Sequence, residues 1–270
     1  MVTNRLDWLS GEVSVTGGRL AYHRTGGGGP PVILSHGLTD NGLCWTRLAE
    51  ALASDFDVIM LDARGHGASS PPGEGGVAPD TPGQDLAEAI TGLGLSGVIA
   101  IGHSMGARAT AACAAAHPDL VRAVILEDPP FVPPMDSEAA AKRLARFKEQ
   151  VKQLREMTDA ELLALLRRQS PTWEAVEFPA WIESKRQVDR NALPILPTPW
   201  QDDIRRIKAP TLLIHGDAER GSMVGAAEAR EARELNTELR ALRVEGTGHN
   251  VRRENFPAYL LAVRSFLGEL

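Results

Sequence analysis

The feature that most constrains this chain is the pentapeptide Gly102-His103-Ser104-Met105-Gly106, which directly follows the apolar run 98–101. An alanine-rich stretch begins at Ala107, so the predicted order is strand, sharp turn, helix. In that context G-x-S-x-G is typical of a nucleophile elbow, where a strained turn lifts the serine hydroxyl above the end of a sheet. The flanking glycines fit because a Cβ at either position would collide with the neighbouring strand or helix. We therefore predict a nucleophilic role for Ser104.

Size and composition narrow the class of protein. The 270 residues, 43% hydrophobic and 24% charged, suffice for one large α/β domain with or without an insertion. The formal net charge is -6 and like charges are not clustered, which argues against a nucleic-acid or anionic-membrane partner. Cys44 and Cys113 have apolar or helical neighbours, so we expect no disulfide and a reducing compartment. No run approaches the ~18 apolar residues of a membrane span, and we expect a cytoplasmic protein unless a signal sequence preceded residue 1.

Short apolar stretches alternate with stretches of helical periodicity along the chain. The predicted strands are 12–15, 19–23, 32–35, 58–61, 98–101, 121–126, 211–214 and 239–244. Strands that alternate with helices form a mostly parallel sheet covered on both faces, so the predicted fold class is α/β.

Residues 130–205 differ from the rest because they lack a strand signal and are bounded by prolines. Leu144, Phe147 and Val151 recur at helical spacing, and Thr158-Asp159-Ala160-Glu161 is a capping box that begins a second helix. We therefore predict a core formed by 1–129 and 206–270, with a helical insertion at 130–205.

Several polar residues follow the predicted strands directly. In open α/β sheets, functional residues collect at the carboxyl ends of the strands. The residues placed there are His36, Asp62, Ser104, Asp128, Glu219 and His249.

These landmarks, in this order, resemble the α/β-hydrolase superfamily over essentially the whole chain. They are His36-Gly37, the segment 62–69 (D-A-R-G-H-G-A-S), the elbow, Gly216-x-x-Glu219 and Gly248-His249. The resemblance implies an eight-stranded, mostly parallel sheet with 130–205 as a cap over the pocket. It also implies that Ser104 is the nucleophile, His249 the general base, and the backbone N–H groups of Leu38 and Met105 the oxyanion hole.

The chemistry agrees with these roles. A serine hydroxyl is a weak nucleophile near neutrality, so a base must take its proton, and imidazole titrates in the right range. A carboxylate is then needed on the other imidazole nitrogen. Glu219 stands at the position where the superfamily usually places this acid, although the usual residue there is aspartate. Asp128 stands at a second position, which some members use for the acid. We favour Glu219, keep Asp128 as the alternative, and leave smaller possibilities at Asp217 and Glu127.

The pocket predictions rest on aromatic residues and on residues next to the landmarks. Tryptophans are more often packing residues than pocket walls, but those near the oxyanion turn and in the cap would favour a substrate with an apolar part. The candidates are His36, Gly37, Trp45, His103, Phe131, Trp173, Trp181 and Trp200. The histidines other than His249 lie beside glycines or end a helix, which favours structural roles, and none of their spacings suits a metal ion.

We therefore expect a cofactor-free serine hydrolase that cleaves a small or medium carboxylic ester or lactone through an acyl-enzyme. Within catalysis, the alternatives are C–C bond hydrolysis of a β-diketone-like compound and perhydrolase activity on the same residues. From another class, the alternative is a slow or non-catalytic ligand sensor built on this fold.

Overall fold

The chain builds one eight-stranded sheet, and the computed structural model describes residues 8–74, 76–133, 135–193 and 199–270. The strands are β1 (Leu9–Val15), β2 (Gly18–Arg24), β3 (Pro31–Ser35), β4 (Asp57–Leu61), β5 (Val98–His103), β6 (Val121–Glu127), β7 (Thr211–His215) and β8 (Leu239–Arg243). Their spatial order is β1-β2-β4-β3-β5-β6-β7-β8. The pairs β1–β2 and β2–β4 are antiparallel, and every pair from β4 to β8 is parallel. The predicted fold class is confirmed.

Helices cover both faces of the sheet. They are α1 (Thr46–Leu52), α2 (Thr81–Gly92), α3 (Met105–Ala116), α4 (Ser137–Glu156), α5 (Asp159–Gln169), α6 (Phe178–Arg186), α7 (Trp200–Arg206), α8 (Ala226–Leu235), α9 (Val251–Glu254) and α10 (Phe256–Leu267). One face packs against α2, α3, α7 and α8, and the other packs against α1 and α10. Within the described ranges, no helix is long and apolar enough to cross a lipid bilayer.

The central strands are apolar throughout because both of their faces are buried. On β3, Ile33 packs towards α2 and α3, whereas Val32 and Leu34 pack towards α1 and α10, and all three are fully buried. The same alternation recurs on β5. Successive strand side chains point to opposite faces, so a strand between two helical layers has no solvent-facing position for a polar residue.

Helices α4 to α6 lie between β6 and β7 and have apolar clusters of their own. One cluster joins Phe147 and Val151 of α4 to Val188, and another joins Leu162 of α5 to Trp181 of α6. The predicted capping box is present, since Glu161 N–H donates to Thr158 Oγ1 and Thr158 N–H donates to the Glu161 carboxylate. We call α4–α6 the helical insertion.

Helix α7 packs differently from the helical insertion. Our sequence boundary at 205 places most of this helix in the cap, but Trp200 and Ile204 are buried in the same cluster as α2 and α3. The helix returns the chain to the sheet, so it is part of the layer that covers β5 and β6.

Cys44 and Cys113 are both buried free thiols, in agreement with the expectation of no disulfide.

The turn between β5 and α3 depends on two glycines for steric reasons. A Cβ on Gly102 would overlap the backbone of Gly106, and a Cβ on Gly106 would overlap the carbonyl oxygen of Ser35 on β3. These neighbours are backbone atoms held in the sheet or in a helix, so they cannot move aside as a flexible side chain could. The close approach seats α3 directly against the end of the sheet.

We predict that Gly106→Ala destabilises the protein by at least about 2 kcal/mol, because overpacking against fixed backbone displaces a strand or a helix. The matched control is Gly28→Ala, where no described residue other than its chain neighbours comes within 4 Å of the added Cβ. That variant should unfold within about 0.5 kcal/mol of the wild type. Urea unfolding of the two variants decides the matter, and equal midpoints would contradict the steric account.

Candidate functional site

Ser104 occupies a strained turn at the end of β5. Its backbone lies in the left-handed half of conformational space, with φ 53° and ψ -117°. A non-glycine residue rarely adopts a positive φ, and such strain persists only where neighbouring contacts enforce it. The Ser104 N–H donates to Glu127 O at 2.9 Å, and the Ser104 carbonyl accepts from Arg108 N at 3.1 Å. The hydroxyl is thereby held at the carboxyl edge of the sheet.

His249 joins this hydroxyl to a buried carboxylate. Its Nε2 lies 3.0 Å from Ser104 Oγ, and its Nδ1 lies 2.6 Å from Asp128 Oδ2. A carboxylate can only accept here, so Nδ1 carries the proton and the Nε2 lone pair faces the hydroxyl. Ser104, His249 and Asp128 are therefore joined by a continuous chain of hydrogen bonds from hydroxyl to imidazole to carboxylate.

The Asp128 carboxylate is fully buried and held by several donors. Oδ1 accepts from Ser222 Oγ at 2.6 Å and from Val224 N at 3.0 Å, while Oδ2 accepts from Met223 N at 2.8 Å as well as from His249. These donors satisfy a charge that would be costly to bury alone. They also fix the plane of the carboxylate and hence the orientation of the imidazole.

Asp128 and not Glu219 occupies the position beside the imidazole, so the order of preference in the sequence analysis is wrong. Glu219 lies on the exposed turn Ala218–Arg220 beyond β7, with its side chain at the surface. Asp128 follows β6, the strand beside β5, and its own φ of 43° turns it towards His249. The remaining candidates have other partners, since Asp217 accepts from Gly246 N and Glu127 accepts from Arg252.

The residues whose backbone N–H groups we predict as the oxyanion hole, Leu38 and Met105, lie beside the same cavity as Ser104. Leu38 lies in the turn after β3, and Met105 begins α3. The partial positive charge of a helix N-terminus adds to the attraction of the Met105 N–H for an anion. An oxygen that became negative next to Ser104 could be bound here.

His103, immediately before Ser104, supports the backbone of His249. Its Nε2 donates to the carbonyl oxygen of His249 at 3.0 Å, and the two rings lie 4.8 Å apart. Burial, together with nearby Arg252 and His249, holds the pKa of His103 well below its ordinary value. A neutral ring can therefore anchor the His249 backbone without adding a positive charge beside the His249 imidazole.

The cavity has a volume of about 690 Å³ and lies between the sheet edge and the helical insertion. Trp173 and Trp181 of the insertion form apolar walls. Basic side chains outnumber acidic ones in the lining, with Arg108, Arg143, Lys185, Arg206 and Arg253 against Asp40, Asp80 and Asp203. Arg108 pairs with Asp203 at 3.1 Å, whereas Asp40 is shared by Lys185 and Arg253. The cavity combines aromatic walls with a positive lining.

Three of the predicted pocket residues, His103, Trp173 and Trp181, line this cavity. The others serve packing within the described part of the chain. Trp45 is 1% exposed beneath the Arg252 guanidinium, and Phe131 stacks on Trp200 in the core with ring centroids 4.0 Å apart.

His36 and Gly37 have structural roles next to the site. The His36 ring donates from Nδ1 to Gly37 O at 2.8 Å and accepts at Nε2 from Ala63 N at 2.9 Å. Gly37 packs on His103, where an added Cβ would come within 2.6 Å of Nδ1. Sequence reasoning could not separate these residues from the true lining, because side-chain direction decides which of them reach the cavity.

The sequence analysis missed the basic lining residues and the buried cluster around Asp40. Basic residues on the insertion carry no motif. In the described ranges, no group of three or more His, Cys, Asp or Glu side chains is placed to hold a metal ion.

The model of a family described as "alpha/beta hydrolase fold" matches residues 30–252. The chain is 29% identical over 264 residues to the 2-(acetamidomethylene)succinate hydrolase of Mesorhizobium japonicum, covering 93% of this chain and 92% of that protein. It is 29% identical over 270 residues to the N-formylmaleamate deformylase of Pseudomonas putida, covering 95% and 96%. A crystal structure of E-2-(acetamidomethylene)succinate hydrolase superposes with a TM-score of 0.79, 26% identity, and coverage of 97% of this chain and 99% of that one.

The buried His66 should make the stability of the protein depend on pH. Its ring accepts from Thr39 N and donates to Arg64 O, and burial, aided by neighbouring His36, lowers its pKa to about 3. The folded state therefore cannot take up a proton that the unfolded state binds below pH ~6.5, so stability falls as the pH drops below that value. Between pH 7.5 and 5.5, the free energy of unfolding should fall by about 1.4 kcal/mol less in His66→Asn than in the wild type. Urea unfolding at both pH values tests this, and identical losses would contradict the assignment.

Proposed function

Because this chain belongs to the α/β-hydrolase fold family, we propose that Ser104, His249 and Asp128 form a catalytic triad that hydrolyses an acyl compound through an acyl-enzyme. The single observation that carries the proposal is the continuous hydrogen-bond chain from Ser104 Oγ through His249 to Asp128, at 3.0 Å and 2.6 Å. A hydroxyl, an imidazole of fixed tautomer and a buried carboxylate in this geometry are what acyl transfer requires.

In the first half of the reaction, Ser104 Oγ attacks the acyl carbon and its proton moves to His249 Nε2. The carbonyl electron pair moves onto oxygen, and the N–H groups of Leu38 and Met105 stabilise the resulting charge. Asp128 stabilises the imidazolium through Nδ1. When the tetrahedral species collapses, the leaving group departs with the proton from Nε2. Water then repeats the sequence on the acyl-enzyme, releasing the acid and restoring Ser104.

Neither relative's name contains an ester or a lactone, so the relatives favour the alternatives on this triad over the substrate that we predicted first. The names of both relatives, 2-(acetamidomethylene)succinate hydrolase and N-formylmaleamate deformylase, contain an acylated nitrogen attached to a short carboxylic acid. We propose a small acylated carboxylate as substrate. Compounds that share a succinyl end and carry an ester, an amide or a β-diketone as the scissile group distinguish the bond types, including the C–C cleavage considered at the outset.

The lining of the cavity supports a substrate with a carboxylate. Arg143 of α4 and Arg206 of α7 both reach the cavity, and burial lowers the pKa of Arg143. A partly desolvated guanidinium gains more from a carboxylate than one in bulk water does. The tryptophan walls suit the remaining, less polar part of the molecule.

The triad is tested by paired substitutions assayed with 4-nitrophenyl acetate. Ser104→Ala should abolish the burst of nitrophenol, and Asp128→Asn should lower kcat roughly 10⁴-fold because the imidazole loses its correct tautomer. Glu219→Gln is the matched control and should stay within about twofold of the wild type. A wild type that binds acyl compounds stoichiometrically without turnover would instead support the ligand sensor.

The carboxylate preference is tested with 4-nitrophenyl hemisuccinate and 4-nitrophenyl butyrate, which have the same chain length but differ in the terminal carboxylate. The wild-type kcat/KM should favour the hemisuccinate, and Arg143→Met should reduce that ratio about tenfold, the value of one charged hydrogen bond. Arg146→Met, an exposed position on the same helix, should leave the ratio unchanged. An unaltered ratio in Arg143→Met would remove this residue from substrate recognition.

A further inference from the structure

Lys185, near the end of α6, projects from the helical insertion into the turn that follows β3. We propose that Lys185 is a positioning residue that holds the turn Gly37–Asp40 so that the Leu38 N–H faces the nascent oxyanion. The oxyanion hole is then complete only when the helical insertion is docked on the sheet. This inference rests on the proposed function and adds a residue to which the relatives' names give no role.

The hydrogen bonds of the Lys185 ammonium group show which segment it holds. Lys185 Nζ donates to Thr39 O at 2.8 Å, to Thr39 Oγ1 at 3.0 Å and to Asp40 Oδ1 at 3.1 Å. An ammonium has three N–H donors, so these partners use all of them. The side chain is 2% exposed. Although Lys185 borders the cavity, its donors are committed to the turn and not to a substrate.

The turn needs an external support because it contains a strained residue. Thr39, which directly follows Leu38, has a φ of 66°. A β-branched residue rarely adopts that region, and it persists there only where its surroundings enforce it. The Thr39 N–H bonds to His66 Nε2 at 3.3 Å, and its carbonyl oxygen accepts from Lys185. Removing Lys185 would leave one side of this strained peptide without its partner.

The carboxylate of Asp40 connects the same turn to the segment that follows His249. Arg253 Nη2 lies 3.0 Å from Asp40 Oδ2, and Arg252 Nη2 lies 3.6 Å from it. Burial alone would raise the pKa of Asp40, but Arg253, Lys185 and Arg252 outweigh it and hold the pKa well below the ordinary value. Asp40 therefore stays ionised and keeps two arginines when Lys185 is replaced. The loss of Lys185 then affects the Thr39 peptide more than the buried charge balance.

A second contact ties the same helix end to the same turn. The side-chain N–H of Asn41 donates to Gln187 Oε1 at 2.8 Å, and Gln187 is half-buried. Two residues of the insertion that lie two positions apart thus hold consecutive parts of one turn. Movement of the insertion away from the sheet would break both contacts at once.

The primary test is Lys185→Met, which keeps the length and shape of the side chain but has no donor. With 4-nitrophenyl acetate, kcat should fall roughly 10²-fold, as expected when one oxyanion donor is misplaced, while KM changes less than about threefold. The matched control is Arg186→Met, because Arg186 pairs with Asp159 and Met157 O inside the insertion. Its kcat should stay within about twofold of the wild type.

A structural readout separates this inference from the proposed function. Hydrogen exchange of the peptide that spans 36–42 should speed up about tenfold in Lys185→Met and stay unchanged in Arg186→Met. Lys185→Arg, which restores donors, should recover part of kcat. If Lys185→Met fails to fold, Gln187→Leu should show a smaller kcat loss in the same direction.

The outcomes are distinct. A folded Lys185→Met with normal kcat, a change confined to KM, or unchanged exchange in 36–42 would overturn the positioning role. A folded Gln187→Leu with wild-type kcat would do so as well. A wild type that forms no acyl-enzyme would instead defeat the proposed function, and the exchange experiment would still decide whether Lys185 holds the turn.

Discussion

The structure depends on the register between two neighbouring parallel strands. His103 of β5 pairs with Glu127 of β6, so the next residue on each strand leaves the sheet at the same level. Those residues are Ser104 and Asp128, and both have a positive φ, 53° and 43°. Each turn directs its side chain over the edge of the sheet, and the imidazole of His249 lies between the two side chains. The site is thus the consequence of one pairing and two strained turns, and α3 and the segment 222–224 pack around those turns to hold them.

A cluster of buried charges around Asp40 joins the parts that the sheet does not hold. Burying a charge is costly unless it is paired, and here each charge is paired across a boundary between elements. Lys185 comes from the helical insertion, Asp40 from the turn after β3, and Arg253 from α9 just after His249. Removing one partner leaves another charge inside the protein. The insertion is therefore coupled electrostatically to the two segments that carry Leu38 and His249.

The cavity differs in charge from the protein as a whole. The chain has a formal net charge of -6, yet basic side chains outnumber acidic ones in the cavity lining. A cleft with an excess of one sign of charge and low-dielectric walls attracts ligands of the opposite sign. Here the apolar walls include Trp173 and Trp181. This contrast is the electrostatic basis for proposing an anionic substrate.

Ser104 and His249 could be predicted from the sequence because local patterns identify them: an apolar strand, a glycine-flanked serine and a late Gly-His turn. The alternation of strands and helices likewise determined the fold class. The choice of Asp128 over Glu219 could not be made in this way, because it depends on which strand lies beside β5 and on the direction of a turn. Trp45 and Trp173 look alike in sequence, yet one packs in the core and the other lines the cavity. Lys185 carries no motif, since its role comes from contacts with residues more than a hundred positions away. Local sequence determines backbone geometry over a few residues, whereas the meeting of distant side chains is decided by packing of the whole chain.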